Sequence, residues 1–419
     1  VTQARYTELM NQAKVPGIVS FVWGNIQLAN GAAAFGSMLL IFGNKTLLWL
    51  AIPCCLPVLV PAIFNFLQEK KGEVKCKPDF AKVLQHRGPF ALSMVLAASV
   101  LGGNVLVLSS PGKSKLHLAY YATVSVVVLI VSFWALPKKI AKPNLYMFLC
   151  SAMRLSIDPQ LQAFYTSQNG YGFPAGDTMP ICFHDGPGFS IEYYQTIGSL
   201  ASFFCGSFAV MLFQKHMLSW EVRFAFWFTT FLCCLAAVLE LIILERWNHR
   251  IFGTNAGSPE GQWVDQVFFL VGAQGLTDLL YMLDFMPGSV LIGKLCPKNI
   301  EATIFAILAA MNNFGSSVSR IAGSMVVNDI LGITLKVEDG HCVNEQWFGV
   351  SSLGWAKIIG FIILPVLTIP ITFLLLPNGK LDQDFLVESG DGHDEPDDDV
   401  SSVEISTSAF LRDVSVDRG

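Results

Sequence analysis

Charge is scarce in this sequence. Asp, Glu, Lys and Arg make up 14% of the 419 residues, against 53% hydrophobic ones. Soluble domains carry about 25% charged residues, so this composition excludes a water-soluble globular protein. A period-two alternation of apolar and polar residues is also missing, which excludes an outer-membrane barrel. Helices remain as the way to satisfy backbone hydrogen bonds in lipid. The ten cysteines include no CxxC pair and no metal-ligand spacing, so no metal is expected. Cys54, Cys55, Cys150, Cys205, Cys233 and Cys234 lie inside apolar runs and read as small packing residues. There is no nucleophile triad, phosphate loop or basic nucleic-acid face. Neither an enzyme, nor a cofactor, nor a nucleic-acid partner is therefore expected.

What is present is a series of long apolar runs. They fall at about 15–43, 46–66, 90–110, 116–137, 144–166, 189–214, 219–245, 262–292, 300–331 and 353–376, each of spanning length. The expectation is an all-α polytopic membrane protein with about ten transmembrane helices. Lysine and arginine concentrate in residues 68–87 and 137–143, which marks those loops as cytosolic. Counting onward, loops 167–188, 246–261 and 332–349 face outside. Arg246 and Arg250 sit in one of these against the rule. Cys182 and Cys342 then share an oxidising side, where a disulfide between them is plausible beside the alternative of two free thiols. Asn44-Lys45-Thr46 matches a glycosylation acceptor pressed against the membrane, and reads as unused. The net charge of −5 comes from the C-terminal stretch, whose DGHDEPDDDVSS run reads as a disordered cytosolic tail. Val1 leads straight into polar sequence without a signal or transit peptide, which reads as a start inside a larger protein.

The run at 144–166, NLYMFLCSAMRLSIDPQLQAFYT, stands apart. Arg154 lies near its middle with Asp158 four residues later. Arginine at the bilayer centre costs about 2.5–3.5 kcal/mol, so it should face protein or a water-filled cavity. The plainer reading is an i,i+4 pair in which Arg154 and Asp158 neutralise each other.

Several motifs resemble the folate–biopterin transporter family. They are Ser156-Ile157-Asp158, Phe164-Tyr165-Thr166, Phe173-Pro174, Gly188-Phe189-Ser190, Trp220 to Arg223 and Arg246-Trp247-Asn248. The most specific block is Leu295-Cys296-Pro297, Glu301-Ala302-Thr303, Phe305-Ala306, Asn313, Gly315, Ser319 and Gly323, with Ala302 in place of the family's glycine. The resemblance implies a major-facilitator-like helical bundle. On that template, 1–66 ends an N-terminal half with helices five and six, and 67–143 is a cytosolic loop plus two inserted spans. Residues 144–377 form a C-terminal six-helix half, and 378–419 the acidic tail. Helices one to four, and an acidic motif expected before Val1, are missing from the chain as read.

The resemblance further implies secondary active transport of folate or biopterin-type pteridines by alternating access, with a proton as the coupling ion. Alternatives are another metabolite such as S-adenosylmethionine on the same fold, or a non-transporting receptor or fragment. The plasma membrane is the expected location. Helices seven and ten should line a cavity at mid-membrane. Arg154 would meet the glutamate carboxylate of a folate, since guanidinium suits a carboxylate bidentately. Asp278 would accept from the aminopterin edge or take the proton. Asp158, Asn313 and Arg320 complete the expected substrate contacts, with packing as the plainer role for Asn313 and a pair with Glu192 for Arg320. Asp284, Pro287 and Glu301 read as gating or structural: a cytosol-facing charge, a helix bend and a helix start. Asp265 reads as interfacial. Trp23, Asn25, Gln27 and Asn30 form a stripe read as packing, with stacking of Trp23 on a pterin as the alternative.

Overall fold

The computed structural model describes residues 15–37, 84, 86–111, 113–166, 186–190, 193–255, 257–296, 301–331 and 346–382. Helices dominate, and the strands among the described residues are the two-residue pair β1 (Gln346–Trp347) and β2 (Val350–Ser351). Among the described residues, six helical stretches are long and apolar enough to cross a membrane: Arg87–Ser109, Ser114–Ala135, Tyr193–Met217, Val222–Leu244, Pro259–Lys294 and Ser352–Leu375. Their outward side chains, among them Leu101, Leu108, Ile130, Trp134, Phe231 and Leu374, are apolar and exposed, as a lipid-facing surface requires. The molecule is an all-α polytopic membrane protein. Of the other expected spans, 15–43 is helical over Val15–Ser37 (α1), while 46–66, Cys182, Glu192 and Cys342 lie outside the described residues, as do 67–83 and 383–419.

Residues Arg87–Ser109 (α2) and Ser114–Ala135 (α3) form a hairpin. Tyr120 Oη donates to the Ser99 carbonyl at 2.9 Å. A side chain at Gly102 or Gly103 would meet the Tyr120 or Tyr121 hydroxyl at 2.5 Å, so small residues set how closely the hairpin closes. The hairpin leans on the following bundle through Tyr121 against Phe314, and through Asn144, which donates to Ser132 Oγ at 2.9 Å.

The run at 144–166 is not one helix. Lys138–Met153 (α4) ends at Arg154, which is extended (φ −94°, ψ 93°), and a second helix, Asp158–Thr166 (α5), begins four residues later. The cause is local. Proline disfavours helical backbone in the residue before it and is accepted in a helix's first turn. Pro159 therefore makes Asp158 a start rather than an interior residue, and Ser156 Oγ donates to Asp158 Oδ2 at 2.7 Å across the new terminus.

A broken helix in lipid must re-satisfy its freed backbone groups. Here one side chain serves both sides of the gap: Ser319 Oγ accepts from the Ser156 amide at 3.0 Å and donates to the Arg154 carbonyl. Ser319 belongs to Glu301–Met325 (α11), where Gly315, Ser319 and Gly323 recur every four residues. A Cβ at Gly323 would stand 2.2 Å from the Ser156 carbonyl, and one at Gly315 2.6 Å from that of Phe148. Small residues at this spacing let helices approach backbone to backbone.

After Tyr193–Ile197, a π-helical turn, come Gly198–Leu212 (α6) and Val222–Leu244 (α7). Trp247–Phe252 (α8) and Pro259–Phe268 (α9) follow. A π-helical stretch, Phe269–Leu276, then leads into Thr277–Lys294 (α10), which runs on through Pro287. Ser352–Ile358 (α12) and Leu364–Leu375 (α13) close the bundle. Helix α1 packs on α6 and α10: Gln27 is buried, Gly31 abuts Phe203, and Trp23 meets Phe285 edge-on at 4.5 Å.

Helix α7 is tied to α12 and α13 at both ends. At one, Arg223 Nη2 donates to the Leu376 carbonyl at 2.8 Å and Trp227 to Thr372 Oγ1 at 2.8 Å. Leu381 donates its amide to Trp220 O at 2.9 Å, so the first residues of the segment read as tail belong to the bundle. At the other end, Lys357 pairs with Glu240, both buried, and Ser351 Oγ donates to Glu245 Oε1 at 2.6 Å.

Candidate functional site

Helices α4, α10 and α11 and the gap at Arg154–Ile157 enclose a cavity of about 470 Å³. That volume lies within the usual 300–1,000 Å³ of small-molecule sites. Its walls mix Met147, Phe226, Phe285 and Phe361 with Ser151, Asn312, Ser316 and Ser319. Five charged side chains reach it: Arg154, Asp158, Asp278, Asp284 and Arg320. Three carboxylates against two guanidiniums leave the fully ionised lining one negative charge in excess.

Four of the five residues expected to contact substrate, Arg154, Asp158, Asp278 and Arg320, are brought together here. Asn313 is not. It is exposed on another face of α11, and its neighbour Asn312 lines the cavity, accepting a hydrogen bond from Ser151 Oγ. One residue on a helix turns the side chain by roughly 100°, and an Asn-Asn pair does not say which member faces in. Pro287 is buried within α10, and the next residue, Gly288, reaches the cavity. Glu301 opens α11.

The expected Arg154–Asp158 pair does not form. With the helix broken between them, the i,i+4 geometry is lost, and Arg154 Nη2 instead donates to Asp284 Oδ2 at 2.9 Å. The other oxygen of Asp284 accepts from Thr229 Oγ1 at 2.7 Å. Asp284 is thus a partner of Arg154 and lies against the cavity. The side chains of Arg154 and Asp284 keep 23% and 16% of their surface open. One of the five guanidinium donors is used on Asp284, which leaves others to face the cavity.

Asp265, read as interfacial, is enclosed by neighbouring side chains. Its side chain is 2% exposed, and Arg246 grips it bidentately, both contacts at 2.9 Å. Asn248 donates to Oδ1 at 2.6 Å, and His249 Nε2 stands 3.2 Å from the same oxygen. Arg246 adopts a left-handed backbone (φ 57°) to reach in. Trp23 stays against Phe285 and outside the cavity lining.

Sequence reasoning passed over Thr229, Tyr281, and the Glu240–Lys357 pair with Phe361 under the Lys357 ammonium at 3.7 Å. Glu240 and Lys357 stand among apolar residues in their spans, which is itself the signal: an intramembrane charge needs a named partner. Thr229 carried none.

The family model described as "BT1 family" matches residues 1–389. The chain is 27% identical over 196 residues to "Probable folate-biopterin transporter 6" of Arabidopsis thaliana, covering 46% of this chain and 33% of that protein. It is 26% identical over 196 residues to the "Folate-biopterin transporter" of Synechocystis, covering 46% of this chain and 34% of the relative. To "Folate transporter 1" of Plasmodium falciparum it is 24% identical over 183 residues, covering 43% and 30%. The chain spans about a third of the length of these curated relatives. No solved structure matches. With the family model covering nearly its whole length, this chain belongs to the BT1 family.

Proposed function

We propose that the chain is the cavity-bearing part of a secondary transporter for folates or related pteridines, working in the plasma membrane by alternating access with a proton as the coupling ion. The observation that carries this is an intramembrane arginine with unused donors at the wall of a 470 Å³ cavity. Carboxylate recognition is the chemistry such a group suits best. Arg154 holds the glutamate carboxylate of a pteroylglutamate. Asp278 accepts from the amino edge of the pteridine, and Phe226, Phe285 and Phe361 offer apolar faces to its flat ring. Arg320 and Asp158 lie at the same cavity and set its polarity. The names of the relatives agree with this reading.

The excess negative charge of the lining favours a second cargo, the cationic S-adenosylmethionine, on the same fold. Uptake of radiolabelled folate, competed with biopterin, and in parallel of radiolabelled S-adenosylmethionine, into cells expressing the chain separates the two. Folate uptake displaced by biopterin is the expected result. Uptake of S-adenosylmethionine with none of folate overturns the pteridine reading, and no uptake of either overturns transport. In Arg154→Lys the folate affinity falls about tenfold, the worth of a lost charge-assisted contact of about 1.4 kcal/mol. Unchanged affinity removes Arg154 from the carboxylate role.

A further inference from the structure

We infer that Asp284 is the carboxylate Arg154 gives up when an anionic substrate arrives, and that the proton Asp284 takes at that moment is the coupled one. This rests on the pteridine-carboxylate reading above and names its switch.

The geometry splits the two oxygens of Asp284. Oδ1 is held by Thr229 on α7, and Oδ2 is held by Arg154 from the gap after α4. An incoming carboxylate that takes the guanidinium bidentately leaves Oδ2 without its cation. The other titratable groups facing Asp284 are Tyr146 and Cys150 of α4, Cys233 and Cys234 of α7, and Tyr281 on its own helix. None of these is a cation, and Arg320, the other guanidinium at the cavity, makes no ion pair with Asp284 among the described residues, so none replaces Arg154. A buried carboxylate stripped of its counter-charge favours its neutral form.

The charge count points the same way. Fully ionised, the described lining carries one excess negative charge, and a carboxylate adds another in a low-dielectric space. One proton from water, bonded to Oδ2 as the guanidinium leaves, offsets the charge of the one carboxylate that Arg154 takes. When the substrate departs, the proton returns to water and the ion pair re-forms. The arginine moves from a fixed base, because Ser319 holds its carbonyl. Asp278, also in the cavity, has no such exchange to make: among the described residues no salt bridge links it to a guanidinium or ammonium group.

The test is equilibrium binding of pteroylglutamate to the purified full chain in lipid nanodiscs between pH 5.5 and 8. One proton bound per anion predicts that wild-type affinity rises about tenfold for each unit the pH falls. Asp284→Asn, whose side chain is neutral at every pH, flattens that slope and binds at pH 8 at least as tightly as wild type at pH 6. Asp278→Asn keeps the slope. Thr229→Val keeps it too but moves its upper end to higher pH, since the bond favouring the ionised form is gone; this variant decides the matter if Asp284→Asn fails to fold. A flat wild-type profile means the substrate shares Arg154 with an ionised Asp284, and overturns the inference while leaving the proposed cargo in place. A slope that survives in Asp284→Asn or vanishes in Asp278→Asn overturns it as well. If wild type binds no pteroylglutamate at any pH, the proposed function fails first and the inference falls with it.

Discussion

Among the described residues, two arginine–aspartate pairs are built to opposite specifications. At the corner between α7 and α9, Asp265 is sealed and surrounded by Arg246, Asn248 and His249, with both oxygens matched by the guanidinium fork. At the cavity, Arg154 spends one donor on Asp284, and both side chains keep part of their surface open. The same two residue types therefore do different work according to how many donors converge and how much water reaches them. A fully matched, closed pair fixes a backbone corner. A singly bonded, half-open pair can exchange partners, which is what a binding site needs.

The comparison breaks first where the closed pair is cut. Asp265→Ala strips the Arg246 guanidinium, 16% exposed, and the buried Asn248 and His249 of the carboxylate they share, a loss of about 3–5 kcal/mol. A large fall in unfolding temperature and in the yield of folded protein is expected, with thermal unfolding in detergent as the measurement. Asp284→Asn should cost about 1 kcal/mol in the same assay, because the Thr229 bond persists and the cavity hydrates the arginine. Equal losses from the two variants would erase the distinction between the pairs.

Between these extremes lies the support of the open pair. Gly323→Ala drives a methyl into the Ser156 carbonyl, 2.2 Å from the ideal Cβ position. The partner atom is backbone and cannot swing aside, so about 1–3 kcal/mol is expected, together with weaker ligand binding as the gap shifts. Stability unchanged would mean that α11 does not press on the gap. The smallest effect is Asn313→Ala. With its side chain exposed and off the cavity, it should lie within about 0.5 kcal/mol in stability and leave folate affinity alone. A loss of affinity there would place it among the substrate contacts after all.

Much of this organisation could be read from the residues. The apolar runs mark the spans because length and composition are what lipid selects, and an arginine inside such a run points to a cavity for the same reason. The break in 144–166 was also written in the chain: Ser156 and Asp158 ahead of Pro159 are a helix start, and they were outweighed by the length of the apolar run. The partner of Arg154 was not legible. Asp284 lies 130 residues away, and nearby Asp158 offers a local pairing that is correct only if the helix continues. Nor was the phase of α11 legible, since it is polar on more than one face. What selects Asn312 over Asn313 is the approach of α4 onto Gly315 and of the gap at Ser156 onto Gly323, a tertiary fact.

The divided span at 144–166 has a mechanical meaning. An intact helix resists flexing because each turn is laced to the next, and tilting one end drags the other. Here the lacing is already absent between Met153 and Asp158, and a lone hydroxyl from a neighbouring rod bridges the interval. The two segments can therefore pivot about Ser319 without sacrificing a rung, and the pivot sits at the very residue whose side chain reaches the cavity.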